Sequence, residues 1–257
     1  MLTGLTGCRS PRDSHSREGE DVPVGTLVLA VEDALGPVVL AVKQAFEYEH
    51  PGILLSVSFG RGEDLTYGIE HGEPCDLLLM EAGETLERLE RNRIAGNVQA
   101  QMADPLVLAA APDNPRGIRD LPEMTEKLKE GDLSLAMEQK NGEMRLAVEK
   151  LLKSYGCAVS SMENSGRIWF CVDGASCADT VLRGEADCGL LCRSEALDTS
   201  LVILDTPEKD RYDALTYSSA ILAASLHPDG ARMFLDYLSG ETGQRILTEY
   251  GYESLTR

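Results

Sequence analysis

Thr26-Leu-Val-Leu-Ala-Val31, leading into Glu32-Asp-Ala-Leu-Gly-Pro37, and Ile53-Leu-Leu-Ser-Val-Ser-Phe59, leading into Gly60-Arg-Gly-Glu-Asp64, share one arrangement. In each, a short apolar run passes through a turn-forming loop into a helical segment. The first helix ends near Glu49-His-Pro-Gly52, and a third strand follows Gly72-Glu-Pro-Cys-Asp76. Both helices therefore start on the carboxyl side of a strand. Their first-turn N–H groups, which have no partner inside the helix, should face one crevice. That is the layout of a small-ligand site.

The alternation continues along the chain. Strands are expected at Asp104–Ala111, Asp132–Met137, Cys157–Met162, Asp187–Cys192 and Ala214–Ala224. Helices are expected at Leu121–Glu130, Gly142–Tyr155, Ala175–Arg183, His227–Leu238 and Glu241–Tyr250. Strands separated by helices of this length predict an α/β fold with parallel units. With 257 residues, 43% of them hydrophobic, the chain can bury a sizeable core as one domain or two lobes. The net charge of −19, from 43 acidic and 24 basic residues, argues against a nucleic-acid partner, which needs clustered Lys and Arg. No apolar run approaches the roughly 18 residues needed to span a bilayer.

Five strings carry a family resemblance: Ala45-Phe-Glu-Tyr-Glu-His-Pro-Gly52, Ser58-Phe-Gly60, Ile69-Glu-His-Gly-Glu-Pro-Cys-Asp76, Leu182-Arg-Gly-Glu-Ala-Asp187 and Phe234-Leu-Asp-Tyr-Leu-Ser-Gly-Glu-Thr-Gly-Gln244. In this order, and over most of the chain, they resemble bacterial extracellular solute-binding proteins of the molybdate-binding type. The resemblance implies a type II periplasmic-binding-protein fold, two α/β lobes with a ligand cleft between them, and delivery of the ligand to the permease of an ABC importer. The crossings between lobes fall near Gln101–Pro105 and Leu215–Ser219. Lobe 1 then comprises 25–103 plus 218–257, and lobe 2 comprises 104–217.

The resemblance also implies a site. The family holds a tetrahedral oxyanion with serine hydroxyls, backbone N–H groups at helix starts and a tyrosine from the second lobe. Helix N-termini suit this work because their partial positive charge stabilises a dehydrated anion without a full counter-charge. By register, the first family serine falls at Ala34 beside Asp33, the second at Arg61-Gly62-Glu63, and the tyrosine at Cys192. The second lobe's backbone donors fall at Asn141-Gly142 and at Gly174-Ala175. The hydroxyls expected at Ala34, in the loop Arg61-Gly62-Glu63 and at Cys192 are all missing. Arg61 brings a donor fork suited to oxyanions, whereas Glu32, Asp33, Glu63 and Asp64 add negative charge. Asp33 and Asp64 are alternatively helix N-caps, since Asp is a preferred capping residue.

The N-terminal segment differs from the rest. Leu5-Thr-Gly-Cys8 resembles the lipobox of exported bacterial lipoproteins, which implies a lipid anchor on Cys8, a location at the extracellular face of the membrane or in the periplasm, and a polar tether over residues 1–24. The alternative is a chance four-residue match in a polar tail. Beyond Cys8 lie Cys75, Cys157, Cys171, Cys177, Cys188 and Cys192, with no Cys-x-x-Cys and no His at ligand spacing. They read first as buried small hydrophobes, then as disulfide partners, then as a soft-metal site including Cys192.

No nucleophile elbow, P-loop or His-Glu-x-x-His motif is present. No catalytic residue and no cofactor are expected. The single tryptophan, Trp169, is expected in the core. The leading functional reading is thus a monomeric, non-enzymatic binder of a molybdate- or tungstate-type oxyanion. A second is a divalent or soft-metal binder on the same fold, using Glu32, Asp33, Glu63 and Cys192. A third, the effector domain of a regulator, lacks any basic or helix-turn-helix segment to support it.

Overall fold

The computed structural model describes residues 25–139, 143–163 and 165–256. In chain order these form β1 (Gly25–Glu32), α1 (Gly36–Glu49), β2 (Ile53–Gly60), α2 (Gly62–Glu70), β3 (Leu77–Glu81), α3 (Glu84–Arg91), β4 (Ala95–Asp104), β5 (Leu106–Ala110), α4 (Leu121–Glu130) and β6 (Leu135–Glu138). There follow α5 (Glu143–Ser154), α6 (Val159–Glu163), β7 (Ile168–Cys171), α7 (Gly174–Leu182), β8 (Cys188–Cys192), α8 (Arg193–Leu197), β9 (Val202–Asp205), β10 (Leu215–Leu222), α9 (Pro228–Ser239), α10 (Glu241–Glu249) and β11 (Glu253–Ser254).

The strands divide between two sheets, ordered β11-β4-β10-β3-β1-β2 and β7-β6-β8-β5-β9. Helix-linked neighbours pair in parallel: β1 with β2 and β3, and β6 with β7 and β8. The chain passes between sheets at the boundary of β4 and β5, marked by Pro105, and again on entering β10. Each sheet closes with antiparallel partners, β10 against β3 and β4 in the first, and β5 against β8 and β9 in the second. At the crossing, Leu215 pairs with Asp104, so both strands belong to the first sheet over their full length.

The hydrophobic pattern explains the layers. In α1, Val38, Val39, Val42 and Phe46 recur at helical spacing and are buried. Phe46 meets Phe234 of α9 edge-on, with ring centroids 5.4 Å apart. Asp76, buried just before β3, ties β1 to the segment that follows β10. Its carboxylate accepts hydrogen bonds from the N–H groups of Val28, Leu226 and His227 and from Ser225 Oγ.

Three local expectations are corrected. Cys157–Met162 does not form a strand: Val159–Glu163 is a helix, because Val159 and Met162 face the core three residues apart while Ser160 and Ser161 are exposed. The strand lies instead at Ile168–Cys171. Trp169 is not a core residue, being 42% exposed, since β7 is an edge strand that turns Ile168 and Cys171 inward. Asp33 and Asp64 do not cap helices. Asp33 opens a 3-10 turn (Asp33–Leu35) that shifts the start of α1 to Gly36 with Leu35 at its N-cap, and Arg61 is the N-cap of α2.

Candidate functional site

The carboxyl ends of the parallel strands are where an α/β sheet presents a ligand site. In the first sheet these ends are Glu32, Gly60 and Glu81; in the second they are Glu138, Cys171 and Cys192. The two sets approach each other. The buried Cys192 thiol, raised well above its ordinary pKa first by burial, also feels Asp104, Glu195, Glu138 and Glu81. Three of the six strand ends are glutamates, so the crevice is acidic.

The helix starts differ between the sheets. Neither α1 nor α2 has a side-chain cap. Gly62, the first residue of α2, is buried, and a Cβ there would stand 2.8 Å from Met80 Cε and 3.5 Å from Glu32 Oε1. A larger residue there would have to displace the end of the Met80 side chain. Glu32 itself accepts the N–H of Glu81 at 2.6 Å. By contrast, α7 is capped by Asp173, which accepts from Ser176 N at 2.8 Å.

A second carboxylate also sits on α7. Glu195 Oε2 accepts the Cys192 N–H at 3.2 Å, closing a capping box at the start of α8, and the same carboxylate accepts the Gly174 N–H. A Cβ on Gly174 would lie 1.9 Å from Glu195 Oε2, so the carboxylate occupies the space directly over the first residue of α7. Burial first, and Glu138 second, push its pKa up to about 7 against the lowering effect of the two N–H groups. Asp104, at the end of β4, accepts from both the N–H and the hydroxyl of Ser194, and burial raises its pKa to about 6. Tyr252 donates to the Ala34 carbonyl at 3.1 Å and also hydrogen-bonds Ser194. A cavity of about 230 Å³ between these elements is lined by residues including Ala34, Pro37, Ser194, Glu195 and Tyr252.

The residues expected to form the site are therefore only partly together. Ala34 lines the cavity with Glu195; Asp33 is exposed in the 3-10 turn. Glu63 and Ala175 are exposed in the first turns of α2 and α7. Arg61 is exposed, and its fork engages Asp64 through Nε–Oδ2 at 2.8 Å and Nη2–Oδ1 at 3.2 Å. Cys192 is buried with its thiol 3.8 Å from Met144 Sδ, so it does not stand where a ligand-facing hydroxyl would. Asn141, Gly142 and Cys8 lie outside the described residues. The described cysteines are all free thiols, buried except for the half-buried Cys75. Glu81, Glu138, Asp104, Glu195 and Tyr252 are additions. Glutamates closing strands were a usable signal for Glu81 and Glu138, and the spacing Cys192-Arg-Ser-Glu195 is that of a capping box.

Among the described residues, no group of three or more His, Cys, Asp or Glu side chains is placed to hold a metal ion. Among the same residues, no helix is long and apolar enough to cross a membrane.

The sequence pattern of a family described as bacterial extracellular solute-binding protein matches residues 27–253. The molybdate-binding protein ModA of Mycobacterium tuberculosis (strain ATCC 25618 / H37Rv) is 21% identical over 255 residues, covering 98% of this chain and 94% of that protein. Among solved structures, a substrate binding domain assigned to a molybdenum ABC transporter of Clostridium difficile superposes with a TM-score of 0.78 at 19% identity, over 90% of this chain and 99% of that one. The tungstate binding protein TupA from Desulfovibrio alaskensis G20 gives a TM-score of 0.69 at 14% identity, over 90% and 99% of the two chains. At these identities the structural likeness establishes the fold alone.

Proposed function

The chain belongs to the bacterial extracellular solute-binding protein family, and from that premise we propose that it captures a small oxyanion of the molybdate or tungstate type for an ABC importer. Two lobes, 25–103 with 218–257 and 104–217, close over the ligand in this reading. The protein acts outside the cytoplasm as a monomer, held to the membrane by a lipid on Cys8, with the transporter permease as its partner and no catalytic step of its own. The similarity to a molybdate-binding protein over nearly the whole chain supports the ligand class.

The observation that carries the reading is the uncapped start of α2 at the carboxyl end of the first sheet, with Gly62 allowing close approach. Backbone N–H groups with no side-chain acceptor attract an anion through their dipoles and hydrogen bonds. On this reading Arg61 supplies additional positive charge when its fork turns from Asp64 toward the ligand, and Ala34, Gly62, Glu63, Gly142, Gly174 and Ala175 contribute main-chain donors. Isothermal titration of the purified chain with molybdate, tungstate, sulfate and divalent metals tests it. Saturable binding of molybdate or tungstate supports the proposal; binding of metals alone refutes it.

A further inference from the structure

We propose that oxyanion capture by this protein is coupled to the uptake of one proton at Glu195. The inference rests on the oxyanion reading above and specifies how the second lobe takes part in it. Two of the donors that the second lobe offers at α7 are already held by the chain's own carboxylates: Glu195 has the N–H group of Gly174, together with that of Cys192 at the start of α8, and Asp173 has that of Ser176. The Glu195 carboxylate lies over Gly174 so closely that no ligand atom can share its place. An oxyanion arriving at α7 therefore meets a carboxylate in the position that it would fill.

Glu195 is faced by Glu138 of β6, Asp104 of β4, Cys177 of α7, Cys192 of β8 and Tyr252 ahead of β11. Every one of these groups is an acid. Arg193, the adjacent cation, acts on Asp104 and reaches Glu253 at 3.5 Å. Two anions cannot both stay ionised in contact in such surroundings, and the carboxylate, not the dianion, is the partner that takes a proton. The proton comes from solvent. Once neutral, the carboxyl group is a weaker acceptor for the N–H groups and its O–H becomes a donor to an oxyanion oxygen, so the group changes from competitor to ligand. The raised pKa of about 7 makes this protonation accessible at neutral pH.

The test is calorimetric titration of the full chain with molybdate from about pH 6 to 8.5, in buffers of different ionisation enthalpy. Molybdate has no titrating proton in this range, so any proton taken up is the protein's. The expected result at about pH 8 is uptake of close to one proton per molybdate, with affinity falling about tenfold per pH unit above the pKa of Glu195. Glu195→Gln should bind without proton uptake and with a flat pH profile, and Glu195→Ala, which removes the acceptor as well, should do the same. Molybdate binding with no proton uptake in the wild-type protein, or with the same uptake in both variants, overturns the coupling and leaves the oxyanion reading standing. No binding of molybdate or tungstate at any pH by the wild type or by folded variants overturns the oxyanion reading and the coupling together.

Discussion

Replacing Gly174 by alanine should unseat Glu195. The new Cβ would fall 1.9 Å from Glu195 Cδ and Oε2 and 2.1 Å from Oε1, distances no real contact tolerates, so the side chain must leave. It then loses two backbone N–H bonds, each worth about 0.5–1.5 kcal/mol to a neutral carboxyl oxygen. Part of that loss returns because alanine is favoured over glycine in a helix by about 0.5–1 kcal/mol. The net expectation is about 1 kcal/mol of destabilisation near pH 5, where Glu195 is protonated and its contribution to stability is present. In a Glu195→Ala background the same Cβ has no carboxyl group to strike, so Gly174→Ala should there stabilise by about 0.5–1 kcal/mol. Urea unfolding of the two single variants and the double variant at pH 5 measures the coupling energy, expected at about 2 kcal/mol and well above the additivity error of about 0.3–0.5 kcal/mol. Additive effects, or an unchanged Gly174→Ala protein, would refute the placement of Glu195 over α7.

Three further outcomes follow from the packing and the buried acids. Phe46→Ala empties a fully buried site between α1 and α9 and should cost about 3–5 kcal/mol in chemical denaturation. Asp76→Ala leaves Val28, Leu226 and His227 N–H without their acceptor and should cost at least about 3 kcal/mol. Burial acts to raise the Asp76 pKa, but the bonds from Val28, Ser225 and His227 outweigh it and the net shift is downward, so this stabilisation is lost only as pH falls below the ordinary Asp range. Asp104 and Glu195 have the opposite sign. Their folded pKa values are raised to about 6 and about 7, so their contribution is fully present below the unfolded values near 4 and is lost as pH rises through 6 and 7, on the order of 3 kcal/mol each. Denaturation curves at pH 5 and 8 should show this decline, and Glu195→Gln should flatten its share.

The sequence was most legible where hydrophobic period and turn chemistry agreed. β1, α1, β2, α4, α9 and α10 lie within a residue or two of their expected limits, because their apolar positions recur at clean spacings between Gly, Pro and Asp signals. Residues 84–104 were opaque. In α3 only Leu86 and Leu89 turn inward among charged neighbours, and β4 is a polar strand, Ala-Gly-Asn-Val-Gln-Ala-Gln-Met-Ala-Asp, with Asn97 at positive φ and register shifts against β10. Its place is set by partners distant in sequence, which no local pattern records. The site was legible as a set of loops but not as a set of contacts. The positions of Gly62 and Gly174 at helix starts could be read, whereas the seating of Glu195 on Gly174 depends on β8 and α7 lying side by side. The engagement of Arg61 by Asp64 likewise depends on where α2 begins, since that start makes one residue the N-cap and puts the other in the first turn.

The proposed function requires an oxyanion held between the helix starts of the two lobes. A crystal structure of the full chain grown with tungstate tests it most directly, because the metal's anomalous signal locates the ligand without interpretation of shape. One strong peak is expected in the crevice, with the ligand oxygens about 2.7–3.2 Å from main-chain N–H groups at the start of α2 and of α7, and with Glu195 either moved off Gly174 or donating to the ligand. A peak elsewhere, or none at saturating tungstate, would contradict it.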